Sequence, residues 1–366
     1  MPILVGSGAA AAIVFASAIG SGPTDGGQPD PGSALLLTAR TIGLELKPAN
    51  IVVLVDESGS ISPQDMLRER EAATLIANAE LSPKSVVSVV GFASSAVGSP
   101  AVEMVCPPTI LAGAAEREDL ARCIGALHKR SRTEGDETDH VAALRQALSV
   151  LRSADGVKLV FLLTDGKLDV SDSPEWGDTA QNRNAAARAA LIQTLAEAKD
   201  HGVQIWPIGF GQVDGPALNE LAGGGYQQTC GPTSAPPSPT FVATSADIAA
   251  ALLRAFASAR CADVGAVDSE LESGTKQEVR VIIPPGVTNV SIIVDKGGSW
   301  VRADFVDPDG RAVPRSGSEL SGAYQVSETG ESRLVLRISS AAPGTWKVRF
   351  TSPAGAPTAK ISTTVA

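Results

Sequence analysis

The sequence predicts an α/β fold, a doubly wound and mostly parallel sheet, followed by an all-β sandwich domain. Three observations carry this expectation. Apolar, β-branched runs at 51–55, 85–92, 157–163 and 203–210 read as strands covered on both faces, as parallel strands are. Helical periodicity fills the gaps between several of them, the alternation that βαβ units require. After Cys261 the texture changes to short, often alternating runs divided by turn signals, which suits an antiparallel sandwich. With 366 residues the chain has room for about two such domains.

Taken in order, residues 1–24 carry no charge, have an apolar centre at 9–15 and end it with Ala16-Ser17-Ala18, an A-x-A pattern. They read as a signal peptide or hydrophobic N-terminal segment, although the first basic residue is Arg40. Residues 25–47, opened by Gly, Pro, Ser and Asp, read as a linker and lead-in. The α/β domain is expected over 48–262. In it an amphipathic helix at 62–80 follows the first strand, and apolar residues at i, i+3 and i+7 mark another from Val141. A long Ala-rich helix covers 182–200 and stops at His201-Gly202, and a last one covers 246–260. The sandwich is expected over 263–366. Its strands fall at 279–283, 290–294, 300–306, 333–338 and 345–350, separated by turns such as Asp307-Pro308-Asp309-Gly310 and Pro343-Gly344. Trp300 and Trp346 read as core residues.

The chemistry concentrates at strand ends. The first strand closes in Asp56-Glu57-Ser58-Gly59-Ser60, which sets oxygen-bearing side chains on alternate residues. The C-terminal edge of a parallel strand is where open α/β sheets place ligands. A carboxylate with two hydroxyls suits a hard cation such as Mg²⁺, which takes oxygen ligands and keeps some of its waters. Two further segments extend the set: Thr138 stands near a helix entrance, and Thr164-Asp165-Gly166 ends the strand at 157–163. Capping of the helix near Ser62-Pro63 would account for Ser58 and Ser60, but for neither Thr138 nor Asp165.

Together Asp56-x-Ser58-x-Ser60, Thr138 and Asp165 resemble the metal-ion-dependent adhesion site of von Willebrand factor A (VWA) domains, over residues 49–261. The resemblance implies that Ser58 and Ser60 bind the ion directly and that Thr138 binds it directly or through water. It implies that Asp56 and Asp165 act mostly through water and hydrogen bonds. The last position would go to a Glu or Asp carboxylate of a protein partner. The implied function is divalent-cation-dependent protein binding, for adhesion or complex assembly, with Mg²⁺ (or Mn²⁺ or Ca²⁺) as the ion. The Asp-Pro-Asp-Gly turn and Pro-Gly-Thr-Trp strand entry resemble immunoglobulin-like modules that accompany VWA domains in exported proteins.

A formal net charge of −10 disfavours nucleic acid and anionic membranes as partners. No second hydrophobic span follows the N-terminal one. Four cysteines fit an exported chain, secreted or held at the cell surface by an uncleaved N-terminal segment. Pairing neighbours would give Cys106–Cys123 and Cys230–Cys261, but sequence does not choose among connectivities. The chain is read as no enzyme: neither an H-E-x-x-H pair nor a G-x-S-x-G elbow occurs. The alternative is a metal-assisted hydrolase using the same ion, for which His140 is the only candidate base. Glu57 is expected to point away from the ion.

Overall fold

The computed structural model describes residues 34–36, 47–227, 236–242, 245–260, 265–287, 289–314, 323–329 and 331–365. Strand β1 (Ala34–Leu36) comes first. The α/β region runs β2 (Ala49–Asp56), α1 (Pro63–Ala79), β3 (Val86–Phe92), β4 (Val102–Ile110), α2 (Ala114–Ile124), α3 (His140–Leu151), β5 (Val157–Thr164), α4 (Ala180–Asp200), β6 (Val203–Gly209), α5 (Gly215–Gly224), β7 (Thr240–Phe241) and α6 (Ser245–Arg260). Its six strands lie in the order β4-β3-β2-β5-β6-β7. All neighbours are parallel except β4, which runs antiparallel along the edge. Successive residues of a strand face opposite ways, and the packing follows. Ile51, Val53 and Val55 cluster with α1, α2 and α6 residues, whereas Val52 and Leu54 cluster with those of α3, α4 and α5. The sheet is therefore doubly wound, as expected.

Strand β4 and helix α2 occupy the stretch around Cys106 and Cys123, where the sequence shows a polar, Pro-containing segment. An edge strand tolerates Pro107 and Pro108, and its largely solvent-facing pattern hides it from a search for apolar runs. Cys106 and Cys123 form a disulfide that ties β4 to α2. Cys230, Cys261 and residues 1–33 lie outside the described residues. Among those described, no helix is long and apolar enough to cross a membrane.

The sandwich contains β8 (Gly265–Leu271), β9 (Lys276–Ile283), β10 (Asn289–Asp295), β11 (Arg302–Val306), β12 (Ala323–Thr329), β13 (Arg333–Ser339), β14 (Gly344–Thr351) and β15 (Ala359–Val365). One sheet has the order β1-β9-β14-β11, the other β12-β13-β10-β15-β8. Strand β1, inside the segment read as a linker, pairs parallel to β9 with Ala34 opposite Arg280. Trp346 is buried and its indole donates to the Ala342 carbonyl. Trp300 departs from expectation: it is 41% exposed and lies beside Gly298.

Strand β13 is buried on both faces. Leu334, Leu336 and Ile338 fill the sandwich core, while Val335, with Ile293 of β10, joins the hydrophobic cluster beneath α1 and α6. Arg333 and Arg337 share the face of Val335 and are buried with it. Arg337 donates to the Asn78 carbonyl at the end of α1, and Arg117 of α2 donates to that of Ala77. Arg333 sits 3.3 Å from Asp295 and 3.6 Å from Glu71 of α1.

Candidate metal centre

Strands β2 and β5 are parallel neighbours, with Val55 opposite Leu163, so Asp56 and Asp165 emerge at the same edge of the sheet. Helix α1 begins just beyond. Ser62 caps it by accepting from the Asp65 amide at 3.1 Å, and Pro63 follows at the first turn. With that cap supplied by Ser62, Ser58 and Ser60 are left for the edge. Ser58 Oγ lies 2.9 Å from Ser60 Oγ, and Ser60 donates to Asp165 Oδ1 at 3.0 Å. The Ser58 amide donates to Asp56 Oδ1 at 2.9 Å. Thr138 precedes α3 but does not cap it: Asp139 does, accepting from the Ala142 amide at 2.9 Å. The backbone of Thr138 instead pairs in both directions with that of Asp169, at 2.9 and 3.0 Å. Its Oγ1 lies 3.8 Å from where a side chain on Gly166 would begin, an ordinary contact distance that places Thr138 beside the turn after β5.

Neighbouring residues brace this loop cluster. The Gly59 amide donates to the Asp136 carbonyl at 2.7 Å, and a side chain at Gly59 would stand 3.1 Å from the Asp136 carboxylate. Glu57 does turn away, over Gly91, where a Cβ would collide with its carboxylate. It accepts from Arg130 Nε at 3.0 Å and from the His128 amide at 2.9 Å, fastening the 128–130 loop to the edge.

Burial dominates the electrostatics. It pushes the Asp56 carboxyl up to about 7, against opposing hydrogen bonds from Thr164 and Ser58. It also raises Asp165, against the Ser60 hydroxyl. Glu69, fully buried on α1, has no hydrogen-bond partner on either oxygen among the described residues. Burial and then the nearby Asp56, Asp165, Asp65 and Glu57 charges hold it well above the ordinary carboxylate range. His140 does not reach the rim. It is 1% exposed, packs 5.8 Å from the Phe92 ring, and burial lowers its imidazole to about 4. A residue so enclosed is poorly placed to serve as base for a solvent-borne nucleophile.

The donors are all oxygen, with hydroxyls and carboxylates mixed, which fits a hard divalent cation. Among the described residues no group of three or more His, Cys, Asp or Glu assembles for a metal. Sequence reasoning missed Thr164 and Glu69. Thr164 was visible as the polar residue closing an apolar strand. Glu69 was visible as an acid on the stripe Met66, Glu69, Ala73, Ile76 of α1.

The von Willebrand factor type A domain model matches residues 50–234, just over half of the chain. The chain belongs to the VWA family. No curated protein matches it. Among solved structures, the chain is similar to a von Willebrand factor type A protein from Catenulispora acidiphila, at TM-score 0.41 and 17% identity, covering 85% of this chain and 59% of that one. It is also similar to the pilus adhesin SpaC from Lactobacillus rhamnosus GG, at TM-score 0.42 and 14% identity, over 88% of this chain and 40% of that one. Manganese-loaded TRAP protein from Plasmodium vivax gives TM-score 0.36 and 16% identity, over 63% and 85%. The chain thus spans 59% of the first of these proteins and 40% of the second. Within the VWA domain, Asp56 ends β2, Ser58 and Ser60 lie between β2 and α1, Thr138 lies before α3 and Asp165 after β5.

Proposed function

We propose that this VWA domain is a cation-dependent protein-binding module, used in adhesion or complex assembly. Asp56, Ser58, Ser60, Thr138 and Asp165 hold a divalent cation, Mg²⁺ or else Mn²⁺ or Ca²⁺, at the C-terminal edge of the sheet. A Glu or Asp side chain of a partner protein completes its shell. The observation that carries this reading is the hydrogen-bonded chain from Ser58 through Ser60 to Asp165, beside Asp56, with Thr138 Oγ1 near Gly166, the residue after Asp165. Neutral hydroxyls nearest the ion leave it under-neutralised and receptive to an incoming carboxylate. Directly bound Asp56 and Asp165 would quench that charge. An oxidising, exported location is supported by the Cys106–Cys123 disulfide.

Calorimetry with Mg²⁺ and Mn²⁺ on wild type and Asp56→Ala tests the ion site. Saturable binding by wild type alone is expected, and equal heats from both would overturn it. Capture of surface proteins by wild type and Thr138→Ala, with and without EDTA, tests the role. Partners retained undiminished in EDTA would place recognition elsewhere.

A further inference from the structure

Thr164 lies outside the proposed ligand set, yet its hydroxyl meets several other groups at the metal edge. It donates to Asp56 Oδ2 at 2.5 Å, accepts from the Gly166 amide at 3.3 Å and lies 3.4 Å from His140 Nε2. Asp56 and Thr164 have no exposed surface, and His140 is 1% exposed. A hydroxyl owns one proton and two lone pairs. An amide only donates, and a carboxylate kept ionised by a neighbouring cation only accepts, so in the cation-bound form proposed above the Thr164 proton goes to Asp56. His140 must then donate through Nε2–H, which settles its tautomer. Every valence of the hydroxyl is used. On Asp56, Oδ1 takes the Ser58 amide and Oδ2 takes Thr164, so the carboxylate cannot rotate. Each oxygen still keeps a lone pair for the water shell of an ion.

We propose that Thr164, oriented by His140, is the positioning residue of the cation site. It sets the Asp56 carboxylate on one side and, through the Gly166 amide, the Asp165-Gly166 turn on the other. The inference rests on the cation reading above and deepens it. Threonine suits the post because its branched Cβ holds χ1 stiffly at a strand end. Valine would keep that shape while leaving the Asp56 oxygen, the Gly166 amide and the His140 donor without partners.

The test is Mn²⁺ binding to the full chain, by calorimetry and by the electron paramagnetic resonance signal of free Mn²⁺, with melts of the ion-free proteins alongside. Thr164→Val should weaken Mn²⁺ binding about ten- to a hundredfold, the range of one hydrogen bond to a charged group. Thr164→Ser should stay within about threefold of wild type, the cost of a freer χ1. His140→Leu should weaken binding several-fold. Wild-type affinity in Thr164→Val, or a serine variant as weak as the valine one, overturns the assignment. If Thr164→Val fails to fold, His140→Leu decides: wild-type affinity there overturns it. A wild type that binds no Mn²⁺ defeats the cation reading itself, an outcome distinct from equal binding by all variants.

Discussion

The two ends of helix α1 bury charge in opposite ways. At its N-terminal end Asp56 and Glu69 are enclosed near Asp65 and Asp165. At its C-terminal end Arg117 and Arg337 donate to the Ala77 and Asn78 carbonyls, and at its middle Arg333 sits between Asp295 and Glu71. The two arginines at the last carbonyls suit the helix dipole, which favours positive charge at the end of a helix. The cationic end draws on acceptors within the protein: carbonyls that a helix terminus leaves open and carboxylates at ion-pair distance. The acidic end meets hydroxyls and other carboxylates, and Glu69 has no hydrogen-bond partner among the described residues, nor do Arg117 Nε and two nitrogens of Arg333. One end sets its charges against carbonyls and carboxylates of the protein, while the other gathers buried carboxyls whose ionisation burial opposes.

The largest effect should come from the arginines packed against α1. Arg333→Ala leaves buried Asp295 without its ion-pair partner, the Gly297 amide alone remaining, and should cost about 3–5 kcal/mol, read as a shift in the urea midpoint. A change under 1 kcal/mol would mean that the interdomain face does not hold α1. Next, Cys106→Ser with Cys123→Ser opens a loop with a sequence separation of 17 and should cost about 3 kcal/mol. Non-reducing melts of wild type and the double variant measure it.

At the acidic end the sign reverses. Glu69→Leu removes a buried, unpartnered carboxyl and should stabilise the ion-free protein by about 1–2 kcal/mol at low pH. The folded carboxyl is raised well above its ordinary value of 4.5, so wild type holds this group's contribution in full below pH 4.5. That contribution is lost as pH rises toward the folded value, so the advantage of leucine should grow with pH. Urea titrations at several pH values will show either this divergence or parallel curves, which would count against it. The smallest change belongs to Thr138→Ala. Its backbone pairs with Asp169 whatever the side chain, and Asp139 supplies the cap, so melting should stay within about 0.5 kcal/mol. Loss of partner capture despite that would separate recognition from stability.

Legibility differs between the two ends for a physical reason. The expected metal residues stand where apolar strands stop and a helix starts, so local pattern and sheet edge coincide. Thr164 escaped because it shares its strand end with Asp165, and only the hydrogen bond to Asp56 separates a structural hydroxyl from a positioning one. Strand β4 escaped because an exposed edge needs few apolar residues. Strand β1, three residues long, is a strand through its partner β9.

The sequence by itself determined the alternating α/β region, its apolar strands and the oxygen donors at their C-terminal ends, because strand burial and side-chain period are written locally. It determined the later change to short strands in the same way. Only the tertiary structure decided that neither face of β13 meets solvent. The alternation Arg333, Val335, Arg337 suits a solvated strand face, and packing against α1 turns it into a buried one. The fate of a charged side chain depends on what arrives opposite it, and no spacing along a single strand carries that information.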